Sequence, residues 1–452
     1  MTSEKKTVIE GRGAALETLV KLALPAVLQQ LLSSLLQYVD TAMVGHLGEA
    51  ATASVSTSTS VNWLVHSLPY GFTIGLLSLI SQAYGRGDRE EIRRLSAMCC
   101  RIVISFGLIL TVLCLGISPF LPIWMQSAPE IRKAASDYFF IVSVPLIFFV
   151  ANSAFASAMQ AIKDTRTPMI INVSSNILNV FLNWLLIYRF SLGTYGAALA
   201  TAISTSVGGI GMFLAFRRKK ELAFPLREVF RPAKDLFLRV ASIAYPVMGT
   251  SVISCMGYIV FAGMVSGMGV TIFAAHSIAI TAEEIFYLPG YGIRTATSAL
   301  IGIAIGEKNT QKFRDVRSVS LRLTVLLMLL NGLILFLTAH PLMRIFTNSE
   351  EVAVMGAQVL RLVAFSELFF GLMVAWEGIS YGTGHTRAVF VIEALSMWGV
   401  RILCTWLVIR AGYGLKAVWY CMIADNVTKA VALTLWGMRQ RNEVTQMKKA
   451  EL

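Results

Sequence analysis

Asp40 lies deep in the first long apolar stretch of the chain, on the helical face that also carries Gln30, Ser33 and Gln37. An ionised carboxylate at the centre of a bilayer costs about 3 kcal/mol or more, so acids in such stretches mark ion or proton pathways. Asp40 is therefore the first candidate for an ion site. A second polar feature supports a site nearby: Asn172, Asn176, Asn179 and Asn183 are spaced by four, three and four residues, which puts all four amides on one face of a helix. Ser54, Ser58, Asn62 and His66 form a comparable stripe. Polar stripes on helices in lipid must face protein or water, so each stripe either lines a cavity or joins helices by hydrogen bonds.

Charges recur later in the chain. Glu283, Glu284 and Arg294 share one apolar stretch, Glu367 and Glu377 the next but one, and Glu393 with Arg401 the one after. Glu283 and Arg294 are eleven residues apart, on one face but about three turns from each other, too far to pair within a helix. Asp425 and Lys429 stand at i and i+4 and form a structural pair. Glu283 and Glu377 are open between substrate contact and internal ion pairing, because buried membrane charges usually have partners. Gln37, Asn62, Arg294 and Tyr291 are further candidates for a cavity lining, since polar groups and aromatic faces suit organic cations.

These side chains sit in a chain that is 56% hydrophobic and only 14% charged, with a mean hydropathy of +0.66. That balance excludes an ordinary soluble domain and fits an all-α polytopic membrane protein. Twelve transmembrane helices are expected, beginning with 17–45 and 53–83 and ending with 388–410 and 414–437. Of the 39 Lys and Arg, only Arg132, Lys133, Arg189, Arg344, Arg361, Arg410 and Lys416 fall on one side and Arg294, Arg401 and Lys429 within spans; all others are on the side of the termini. The bias toward positive charge inside makes both termini cytoplasmic in a multi-pass inner (cytoplasmic) membrane protein. The same bias accounts for the net charge of +13, so no nucleic-acid partner is expected. Cys99, Cys100, Cys114, Cys255, Cys404 and Cys421 show no metal spacing and read as packing residues.

The chain also repeats itself. Pro25 and Pro246, Met43-Val44 and Met264-Val265, Gly85 and Gly306, and Thr165-Arg166 and Thr386-Arg387 are each 221 residues apart. A duplicated six-span unit follows, giving two pseudo-symmetric six-helix lobes: residues 1–216, a basic linker over 217–239, and residues 240–452. The linker reads as a solvated cytoplasmic segment first and a lipid-headgroup site second. Asp40 is not duplicated. Its mate is Phe261, and those of Asn179 and Asn183 are Val400 and Cys404.

The motifs LALPAVLQQLLSSLLQYVDTAMVGHLG, AMQAIKDTRTPM, NILNVFLNWLLI, LPGYGIRTATSALIGIAIGEKN and YGTGHTR, in this order and duplicated, resemble the multidrug and toxic compound extrusion (MATE) transporters of the bacterial branch over essentially the whole chain. The resemblance implies a monomeric antiporter, not an enzyme, that exports organic, often cationic, small molecules and uses H+ or Na+ but no cofactor. It also implies that Asp40, Asn179, Asn183 and Thr201 form the ion-coupling site. Asn183 is an amide where many relatives have a second carboxylate. A proton needs one carboxyl, whereas Na+ bound by Asp40, Asn179 and Asn183 would rely on amide oxygens, so H+ is favoured. Two alternatives remain. One is a lipid-linked oligosaccharide flippase of the same superfamily, whose phosphates call for a basic cavity. The other is a membrane enzyme or receptor without transport, for which no nucleophile motif, metal-ligand cluster or phosphate loop is present.

Overall fold

The computed structural model describes residues 11–439, and every regular element in that range is helical. The helices are α1 (Arg12–Gly45), α2 (Glu49–Arg86), α3 (Arg89–Ile117), α4 (Pro129–Ser143 and Leu146–Ala161, bent by 41°), α5 (Arg166–Arg189) and α6 (Gly193–Arg218). They continue with α7 (Lys234–Ser266), α8 (Val270–Gly306), α9 (Thr310–Phe346), α10 (Glu350–Ala364 and Glu367–Thr383, bent by 54°), α11 (Thr386–Arg410) and α12 (Leu415–Arg439). By length and composition eight of these cross a membrane unaided, and the two bent pairs raise the number to ten. The long helices α8 and α12, which carry Glu283, Glu284 and Arg294 and Asp425 and Lys429 within their lengths, bring the helices to the expected twelve. The protein is thus an all-helical polytopic membrane protein. Rows of apolar side chains left exposed, such as Leu108, Ile109, Val112 and Leu113 on α3, are what a lipid-facing surface requires.

Local geometry repeats at the sequence offset. The side chain of Asp88 accepts from Glu91 N at the start of α3, and that of its mate Asn309 accepts from Lys312 N at the start of α9, both at 2.9 Å. Each cap satisfies a helix-terminal N–H that no carbonyl can reach. The bends of α4 and α10 fall at Pro145 and Ser366, another related pair. Gly48 and Gly269 both have positive φ, 101° and 124°, where they turn the chain into α2 and α8. A side chain at either position would be strained.

The chain folds as two compact units. Unit A comprises Leu28–Ile80 and Asp88–Cys255; unit B comprises the chain up to Val27, Ser81–Gly87 and the stretch from Met256. In unit B the core gathers Phe261, Val265, Ala279, Leu335, Val363 and Trp419, each 2% exposed or less. Here α2 and α8 run backbone to backbone, because a Cβ on Gly85 would overlap Ile303 O and one on Gly306 would overlap Gln82 O. Small residues at such crossings let membrane helices gain dispersion contacts without a hydrophobic driving force.

In unit A the basic stretch after α6 differs from the solvated linker expected of it. Leu222, Phe224 and Val229 are buried, and the segment forms two short 3₁₀ turns, Lys220–Leu222 and Leu226–Phe230. Its alternating apolar residues find a surface to cover, which a charge count alone does not reveal.

Candidate functional site

Asp40 and the Asn face come together in unit A. Asn183 Nδ2 donates both to Asp40 Oδ1 and, at 3.3 Å, to Asn179 Oδ1. Asn179 Nδ2 in turn donates to Thr201 Oγ1 at 3.4 Å. The four residues named for ion coupling thus form one chain of hydrogen bonds across α1, α5 and α6. One turn away, Asn176 Nδ2 donates to Ser33 Oγ at 2.8 Å, and beyond it Asn152 Nδ2 donates to Asn172 Oδ1 at 2.7 Å. The spacing that put the amides on one face thus lays three of them along α1 and α6 and hands Asn172 to α4.

Two features bear on chemistry. No Lys or Arg among the described residues forms an ion pair with Asp40, whose side-chain hydrogen-bond donor is the Asn183 amide. Asn183 is fully buried, and among the described residues its Oδ1 has no hydrogen-bond partner. A buried acceptor left unpaired costs about 1–3 kcal/mol, and it stands beside the carboxylate.

The α2 stripe behaves differently. Ser54 and Ser58 donate to carbonyls of their own helix at 2.8 and 2.9 Å, Asn62 reaches Ser58 at 3.4 Å, and His66 stacks on Phe149 with ring centroids 4.2 Å apart. Its hydroxyls are satisfied locally rather than by the Asp40 network. Gln37 is exposed.

In unit B the remaining candidates fall into pairs the sequence did not specify. Arg294 donates to Glu377 at 2.5 Å, with its guanidinium over the rings of Tyr291 (4.6 Å) and Tyr381 (5.8 Å). Glu283 instead accepts from Tyr287 Oη, one turn along α8. Tyr287 stacks on Phe370 at 4.0 Å, and Tyr291 meets the same ring edge-on at 5.8 Å. The Asp425–Lys429 pair is present at 3.0 Å but is part of a larger lattice: Asp425 also binds Arg401 at 2.8 Å, and Lys429 binds Glu393 at 2.8 Å. All three intramembrane cations of unit B are thereby matched with carboxylates.

One acid that the sequence reading gave no role stands apart. Glu367, at the bend of α10, is 1% exposed, and among the described residues neither of its carboxyl oxygens has a hydrogen-bond partner. Counting acids against bases within the spans signals a surplus of acids, but which acid is left over depends on which helices are neighbours. Among the described residues no three His, Cys, Asp or Glu side chains converge as metal ligands.

Long lipid-facing helices in two repeats, with a carboxylate held by an amide inside the first, define a polytopic membrane transporter rather than an enzyme. The chain belongs to the MatE family, whose model matches residues 25–185 and 246–407, so the two matches begin 221 residues apart. A similar protein of Thermotoga maritima, named "Probable multidrug resistance protein NorM", is 29% identical over 425 residues, 92% of this chain and 91% of that one. A relative of the same name in Pseudomonas syringae pv. tomato is 26% identical over 436 residues, 92% and 93% of the two chains.

Solved structures show the same fold. "Outward-facing conformation of a multidrug resistance MATE family transporter of the MOP superfamily" aligns with a TM-score of 0.91 at 20% identity, covering 99% of each chain. A transporter from Pyrococcus furiosus, described by the words "Reverse polarity of binding pocket suggests different function", aligns with a TM-score of 0.88 at 20% identity, covering 99% of each chain.

Proposed function

We propose that the protein is a cation-coupled antiporter that exports organic, cationic or amphiphilic compounds by alternating access, with H+ as the coupling ion. The observation that carries this reading is Asp40, a carboxylate inside a span with no cationic partner among the described residues and an amide as its hydrogen-bond donor. Protonation from outside removes the charge that Asn183 solvates. The Asp40–Asn183–Asn179–Thr201 chain then rearranges between α1, α5 and α6, and the cargo leaves outward.

The energetics suffice for a neutral cargo. One proton moving inward gains about 2.3 kcal/mol at 100 mV and about 1.4 kcal/mol per pH unit, against about 2.7 kcal/mol for a hundredfold gradient. A monovalent cationic cargo cancels the electrical part and calls for a second proton or a steeper pH gradient.

Three further points belong to the same reading. The Lys and Arg bias supports cytoplasmic termini, and the same reading takes the membrane to be the inner one. The protein works as a monomer. Arg294, Arg401 and Lys429 are all engaged by carboxylates, which disfavours the phosphate-binding cavity of an oligosaccharide flippase.

One observation favours Na+ as a second reading: the unpartnered Asn183 Oδ1 is a hard oxygen beside Asp40. The deciding experiment is efflux of a fluorescent organic cation from proteoliposomes, with pH and Na+ gradients imposed separately, for the wild type and Asp40→Asn. Transport driven by the pH gradient and lost in Asp40→Asn supports H+ coupling. Transport driven only by Na+ supports the second reading, and normal efflux by Asp40→Asn sinks both.

A further inference from the structure

The segment between α6 and α7 sorts its charges into two sets. One set staples it to unit A. Lys219 pairs with Asp164 at 2.6 Å, and Arg239 pairs with Glu91 at 2.8 Å. Between them, Glu228 is buried and held by Arg93 at 3.0 Å, while Arg101 donates to Val229 O at 2.8 Å, to Glu228 O at 3.3 Å and to Arg231 O. Arg217 donates to Phe224 O at 2.7 Å and lies over its ring at 4.9 Å. Asp164 belongs to the turn between α4 and α5 and Glu91 to the first turn of α3, so the strap is tied at both ends to the ends of spans. It cannot rise far from headgroup level.

The other set points away. Arg218, Lys220, Arg227 and Lys234 are exposed, and among the described residues their side chains form no ion pair or hydrogen bond; Glu221 and Asp235 are the exposed acids among them. Beside these cations are Leu226, 57% exposed, and Phe230, 84% exposed; Phe230 and Val270 are the two most exposed large apolar side chains among the described residues. Aromatic and aliphatic tips flanked by Lys and Arg, held at the level of the headgroups, match an anionic lipid surface in both chemistry and charge.

We propose that residues 218–234 form a membrane-surface anchor that seats Leu226 and Phe230 at the acyl boundary and holds anionic lipid phosphates with Arg218, Lys220, Arg227 and Lys234. The inference goes beyond the transport reading and is independent of the coupling ion. Each unpaired cation near an anionic surface is worth about 1 kcal/mol, so removing one lowers the ratio of seated to unseated strap about fivefold.

The test uses an environment-sensitive fluorophore on Phe230→Cys, with the half-buried Cys404 changed to Ser and the other five cysteines, all buried, left in place. Full-length protein is reconstituted into vesicles of phosphatidylcholine alone or with 30% phosphatidylglycerol in both leaflets, so that the outcome does not depend on orientation. In the anionic vesicles the label should shift to the blue, be quenched by lipid brominated on its acyl chains and be shielded from acrylamide. Changing all four cations to Gln should abolish the dependence on phosphatidylglycerol. Equal access of acrylamide in both vesicles overturns the proposal and points to an aqueous surface, such as one for a protein partner. Seating that ignores both phosphatidylglycerol and the four cations overturns the anionic part and with it the proposal. The readout is spectroscopic, so a failure of transport in the efflux assay leaves it intact.

Discussion

Asp425→Asn should destabilise the protein by about 3–5 kcal/mol, the range for breaking a buried ion pair by removing one partner. Asp425 is 0% exposed and accepts from Arg401 Nε at 2.8 Å, Lys429 Nζ at 3.0 Å and Ser396 Oγ at 2.6 Å. Each ionic contact near 3 Å is worth about 5 kcal/mol gross at an effective dielectric constant of about 20, and most of that is offset by the solvation the carboxylate gave up. The substitution keeps the shape and leaves two buried cations, Arg401 and Lys429, with Glu393 as the remaining ion-paired carboxylate of the lattice. Adding Arg401→Met restores the balance, because Lys429 and Glu393 still pair at 2.8 Å. The double variant should therefore be more stable than Asp425→Asn by at least about 1 kcal/mol, a coupling typical of residues in one network. Reversible unfolding in mixed detergent micelles, followed for the wild type, both single variants and the double variant, measures this cycle. Single-variant costs that simply add, or an Asp425→Asn protein within about 1 kcal/mol of the wild type, would refute the lattice as a source of stability.

Three further outcomes are expected. Glu367→Met should raise the melting temperature, because it removes a buried carboxyl whose oxygens have no partner, worth about 1–3 kcal/mol; Glu377→Met should lower it, since Arg294 loses its partner. Gly306→Ala and Gly85→Ala should each cost about 1–3 kcal/mol by overpacking, whereas Gly263→Ala, where nothing lies within 4 Å of the added methyl, should not destabilise; thermal melting of the purified variants compares them. Burial pushes the Asp164 carboxyl up, but Lys219 and the two hydrogen bonds of Thr167 outweigh it and hold it below its ordinary 3.8. A carboxylate depressed in the folded state adds stability above its unfolded value and loses it as the pH falls below about 4. The stability gap between the wild type and Asp164→Asn should accordingly be present at pH 7 and close on acidification, and a gap unchanged from pH 7 to pH 3 would contradict the pairing.

Much of the candidate site around Asp40 was legible from local pattern. An acid within an apolar run and amides spaced by four, three and four residues are signals of one helix at a time, and their absence from the second repeat, where Phe261, Val400 and Cys404 stand, marked the first repeat as the bearer of the site. The same reasoning failed to separate the α2 stripe from the α5 stripe, because helical periodicity is equal in both. Only the neighbours decide that Ser54 and Ser58 bond their own helix while Asn183 reaches Asp40.

The sequence by itself determined the class of protein, the twelve-span count and the 221-residue repeat, because hydropathy, helical period and duplication are written along one dimension. It also determined that the spans of the second repeat hold more acids than bases, with Glu283, Glu284, Glu367, Glu377, Glu393 and Asp425 set against Arg294, Arg401 and Lys429. The tertiary structure alone decided which acids the bases neutralise: Arg294 takes Glu377 rather than Glu283, Arg401 crosses from α11 to α12 for Asp425, and Glu367 is left unpaired. It likewise turned a basic linker into a docked strap with one set of cations tied down and another facing out. Such pairings depend on which helices are adjacent and on how far each is shifted along its axis. Those quantities are set by close packing at small residues such as Gly85 and Gly306, across hundreds of residues that no local pattern connects.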